Sequence, residues 1–121
     1  MNTSSWRHYY EFNQLNRIEP AWNTPCLLPE NLRQELAISL SHFQLGETGG
    51  GTFLLREASK ESDAEDLAAL GHFVLEENEH ARLLACMVER LGGKLVHRHW
   101  SPGSLKLHGE QAAFALKSKC C

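Results

Sequence analysis

Glu47, Glu77 and His80 are the residues best suited to chemistry, because each interrupts a run of apolar positions at helical spacing. At 100° per residue, Glu47 falls within about 20° of Leu36, Leu40, Leu54 and Ala58, so a carboxylate stands where a leucine is expected. Glu77 does the same among Leu70, Leu84 and Val88, and His80 follows one turn later at the edge of that stripe. Unpaired carboxylates in a helix interface are costly unless something neutralises them, and a shared cation does so. Carboxylates with imidazole suit iron or manganese, whereas thiolates would point to zinc.

A Glu-x-x-His pair alone is weak evidence, since seven histidines and thirteen glutamates in 121 residues give roughly one by chance. Weight comes from joint placement. Counted from the expected turn between two helices, Glu47 and Glu77 differ in level by only ~5 Å at ~1.5 Å per residue. The alternative for either carboxylate is a pairing with Arg or Lys. Glu76, Glu79 and His72 point away from Glu77 and predict a solvated face. His97 and His99 are weaker candidates as accessory ligands. Gly46-Glu-Thr-Gly-Gly-Gly-Thr52 is no phosphate loop, because it has no Lys and no strand before it.

Two helices must position these groups. Pro29 suits a first helical turn, and the stripe from Leu32 predicts one helix over 30–58. Gly49, Gly50 and Gly51 oppose it by about 1 kcal/mol each, yet Leu54 and Ala58 keep the register of Leu36, Leu40 and Phe43. Ser62-Asp-Ala-Glu65 matches a capping box that opens a second helix, and Leu91-Gly92-Gly93 closes it. The expectation is an all-α chain. An aromatic, proline-rich strap over 1–29 with a short helix precedes an antiparallel hairpin over 30–93, and an irregular tail follows over 94–121.

The stretches Phe43-Gln-Leu-Gly-Glu47-Thr-Gly-Gly and Phe73-Val-Leu-Glu-Glu77-Asn-Glu-His80-Ala-Arg-Leu-Leu resemble the first two helices of the ferritin-like, non-haem di-iron carboxylate bundles. The resemblance spans roughly residues 30 to 100. It implies metal ligation by Glu47, Glu77 and His80, a di-iron cofactor with manganese as an alternative, and oxidoreductase, ferroxidase or other iron-handling chemistry; no catalytic residue beyond the ligands is assigned. This sequence departs from the pattern in lacking a third-helix Glu and a second Glu-x-x-His, so it resembles only the N-terminal half. A second subunit related by two-fold symmetry would restore the missing ligands and complete the four-helix bundle, which implies a homodimer or larger homo-oligomer. The rival expectation is a metal-free or inactive, truncated helical interaction module, the stretch after Trp100 being a truncation or frameshift product.

Composition narrows the remaining classes. A hydrophobic content of 42% is enough for a core, and a net charge of −3 gives no basic footprint for nucleic acid. No stretch reads as a secretory signal or a membrane span. The four cysteines, at 26, 86, 120 and 121, contain no Cys-x-x-Cys pair and read as reduced thiols, Cys86 in a packing position, in a cytoplasmic protein.

Overall fold

Asp63 opens the longest helix of the chain: its carboxylate accepts hydrogen bonds from the backbone N–H groups of Glu65 and Asp66 at 3.0 and 2.9 Å. The cap thus lies one residue beyond Ser62, where the capping-box pattern placed it. The other end is a glycine stop. Gly92, at φ +78, donates to the Glu89 carbonyl, and Gly93 donates to that of Val88, both at 2.9 Å, the pairing of a Schellman motif.

The computed structural model describes residues 2–49 and 51–97, and among them the regular structure is four helices: α1 (Thr3–Leu15), α2 (Glu30–Gly46), α3 (Gly51–Ala58) and α4 (Ala64–Arg90). The described chain is therefore all-α. His99, Trp100, Cys120 and Cys121, and with them the readings of the tail beyond residue 97, lie outside the described residues, as does Gly50. No described helix is long and apolar enough to cross a membrane.

The single helix expected over 30–58 is in fact two. α2 ends at Gly46, Glu47 is its C-cap, and Gly49 turns the chain at φ +96, a conformation that glycine adopts without Cβ strain. The local preference of the glycines outweighs the register of the flanking leucines. Gly51 has a second reason to be glycine, since a Cβ there would lie 2.3 Å from Val74 Cγ1 on α4.

α4 is the element against which α1, α2 and α3 all pack. Small residues make its contact with α2: Ala37, Ser41 and Gln44 are buried on one side, and Ala81, Ala85 and Val88 on the other. Beyond the end of α4, a Cβ at Gly93 would stand 2.5 Å from that of Ala37. The buried side of α2 is turned about 90° from Leu36, Leu40 and Phe43. The leucine stripe therefore does not face α4 squarely, as expected, but flanks the contact, and Phe43 is 61% exposed. Small side chains let two helices approach closely, which leaves the bulky ones beside the seam.

α1 and the segment after it cover another side of α4. Trp6, Tyr9 and Tyr10 cluster on α1 with ring centroids 5.7–5.9 Å apart. Arg17 bonds Glu76 at 2.6 Å, and Arg82 bridges Glu79 at 2.7 Å and Glu19 at 2.6 Å. Glu76 and Glu79 are thus mostly covered by paired arginines and do not form the solvated face predicted for them. His72, expected on that face too, lies 3.5 Å from Glu11 of α1. Arg90 holds the strap from below, donating to the carbonyls of Ala21 and Trp22 and to Thr24 Oγ1. Cys86 is buried, as its packing position predicted, and Cys26 is a free thiol.

Candidate metal centre

Two elements bring the three predicted ligands together. Glu47 comes from the C-terminal cap of α2, and Glu77 and His80 come from successive turns in the middle of α4. Each offers one donor atom, and the three donors lie within 4.8 Å of one another. His80 Nδ1 is 3.8 Å from Glu47 Oε2 and 3.9 Å from Glu77 Oε1. Two donors on one ion, with bonds of ~2.1 Å, stand at most ~4.2 Å apart. Both separations fit that limit, and small side-chain rotations close the rest.

The electrostatics of the group are unresolved by protein partners. Among the described residues, neither Glu47 nor Glu77 has an arginine or lysine within ion-pair distance, and both instead face His80. Glu47 Oε2 is buried without a hydrogen-bond partner. The Glu77 carboxyl is held above the usual range, first by its side-chain hydrogen bonding with Glu47, then by burial and the Glu47 charge, with His80 pulling the other way. A carboxyl whose ionisation is opposed by a second carboxylate is one a nearby cation relieves. The position of Glu47 adds to this, because the C-terminal end of a helix carries partial negative charge and favours a cation nearby.

Exposure is graded across the group. Glu47 is 19% exposed, Glu77 35% and His80 53%, so the imidazole forms the outer lip. Beside it opens an apolar cleft of about 490 Å³. Leu40 and Phe43 of α2 and Leu83, Leu84 and Met87 of α4 line it, with Pro20 and Trp22 of the strap as a further wall. Trp22 is a residue of the site that sequence reasoning missed. The signal lay in Arg82, Arg90 and Glu19, whose pairings fix the strap beside α4, but spacing alone does not link residues so far apart in the chain.

The fold brings together the three residues singled out from the sequence and adds no fourth ligand among the described residues. His97 is described and stands outside the group, and His99 lies outside the described residues. The chain matches no family model, no curated protein and no solved structure.

Proposed function

We propose that the chain is a metal-binding protein of the ferritin-like kind, in which Glu47, Glu77 and His80 form half of a carboxylate-bridged centre for iron, or manganese in its place, and a second subunit supplies the other half. The observation that carries this reading is Glu47 Oε2, buried without a hydrogen-bond partner, facing His80 at 3.8 Å, with no arginine or lysine among the described residues in ion-pair reach of it or of Glu77. The neighbouring pairs Ala37 with Gly93, and Gly51 with Val74, support an antiparallel hairpin of α2–α3 against α4. In it, Glu47 and Glu77 act as terminal or bridging carboxylates and His80 as a nitrogen ligand. A bound iron pair supplies one-electron and O2 chemistry. The chain's own residues hold the ions, and the apolar wall of Leu40, Phe43 and Leu84 keeps water from one side. Iron oxidation or oxygen-dependent turnover of an organic substrate both fall within this reading.

The test is direct. Purified chain loaded with Fe(II) under argon, then desalted, should retain metal in proportion to protein and show an oxidation signal on admission of air. The double substitution Glu47→Ala with His80→Ala should abolish both. Wild-type protein with no retained Fe(II) or Mn(II) would defeat the proposal and favour the metal-free helical module.

A further inference from the structure

The candidate centre divides the open face of α4 into two halves that differ in shape. Its level is the midpoint between Glu77 and His80, position 78.5. Phe73 stands 5.5 residues before it and Leu84 5.5 residues after it, about 8 Å each way at ~1.5 Å per residue. Both point within about 40° of Glu77. On one side of the centre Phe73 is an exposed ring; on the other, Leu84 lines the apolar cleft. A two-fold axis through the centre, perpendicular to α4, sets the Phe73 ring of one copy at the level of the other copy's Leu84. An axis parallel to the helices instead sets ring on ring and cleft on cleft.

Charge makes the same demand. One triad has two carboxylates and one imidazole, too few donors for a pair of ions. Two triads across the axis give four carboxylates, whose total charge matches that of two divalent cations. The surface needed is present as well. Leu32, Leu36, Phe43, Phe73 and His80 together expose on the order of 400 Å², about half of the ~800 Å² per partner in a standard interface, before any polar rim is counted.

We infer that the open face of α2 and α4 seats a second copy of this chain, packed head to tail about a two-fold axis through the centre, with the Phe73 ring of each copy in the other's cleft. The inference rests on the metal-binding reading for the position of the axis, and its contacts are apolar and can be tested separately. In sedimentation equilibrium the wild-type chain should show about twice its 13.7 kDa mass. Phe73→Lys and Leu84→Glu, each checked for helicity by circular dichroism, should each weaken the dimer at least tenfold. Mixed in equal amounts, they should restore it, because the introduced lysine of one copy then meets the introduced glutamate of the other and the second contact stays native. Should Leu84→Glu fail to fold, Phe73→Cys and Leu84→Cys replace the pair in a background carrying Cys26→Ser, Cys86→Ala, Cys120→Ser and Cys121→Ser, and a disulfide should form between the two variants and not within either. A wild-type monomer at tens of micromolar, with and without Fe(II), overturns the inference, as does a mixture that restores nothing. A dimer that retains no metal defeats the metal reading alone, and metal retained by a monomer defeats this inference alone.

Discussion

Glu77 and Glu79 lie two residues apart on α4, yet their carboxyls are pushed in opposite directions. Glu79 is held below the usual range, first by its hydrogen bonds from Arg82, with the charge of Arg17 helping and burial opposing. Glu77 is held above it, first by its side-chain hydrogen bonding with Glu47. Both are partly covered, so burial does not separate them. The difference is the partner: on the strap side the chain has brought up Arg17 and Arg82, and on the open side it has brought up a second carboxylate and an imidazole. Among the described residues the fold closes one acidic cluster with its own arginines and gives the other an imidazole alone, the difference on which the proposed cation site rests.

The contrast between the two clusters breaks most completely if the open one does not bind metal. Removing Glu47 and His80 together should lower Fe(II) or Mn(II) affinity at least about 100-fold by titration calorimetry, since too few donors remain to fix the ion. The same variant should unfold in urea, without metal, at a midpoint no lower than that of wild type. Next in size is the strap side. Arg82→Met leaves Glu79 with Arg17 alone and should cost about 1 kcal/mol in urea unfolding through Glu79, below the value for a fully buried pair because that carboxylate keeps some contact with water.

Glu77→Gln should act with the opposite sign, leaving the metal-free protein unchanged or more stable by roughly 0.5–1 kcal/mol, since it removes the repulsion with Glu47. If both substitutions destabilise alike, the two clusters are not different in kind. pH sharpens the contrast further. For Glu79, whose folded pKa is lowered, the stabilisation is present above the ordinary glutamate range and is lost as pH falls through the lowered value. For Glu77, whose folded pKa is raised, the metal-free protein loses stability as pH rises from the ordinary range through the raised value. Urea midpoints from pH 3 to 8 for wild type, Glu79→Gln and Glu77→Gln should show slopes of opposite sign. Metal uptake should weaken as pH falls toward the acid range, where the carboxyls take up protons.

The grouping of Glu47, Glu77 and His80 was legible because helical phase is a strong signal: a carboxylate in register with leucines stands out even in a single sequence. The depth count assumed an unbroken helix to residue 58, yet Glu47 still reaches Glu77, because the break comes just after Glu47 and α3 continues beside α4. The break itself was hidden by register, which Leu54 retains on the far side of the glycines although Gly49 has left the helical region. Which stripe met α4 was hidden for a different reason. Hydrophobicity points to Leu36, Leu40 and Phe43, but the approach of two helices is decided by the smallest side chains, Ala37, Ala81 and Ala85. The arginine closure of Glu76 and Glu79 depends on a strap some sixty residues away in sequence, and no local pattern encodes it.

The turn at Gly49 gives the three donors unequal freedom. Glu77 and His80 are fixed by the hydrogen-bonded middle of a 27-residue helix, whereas Glu47 is the last residue before a joint. Two donors form an anvil and the third swings against it. In the proposed centre such a grip would adjust to ions of different radius, so selectivity between metals of similar hardness would fall to whatever closes over the outer lip at His80.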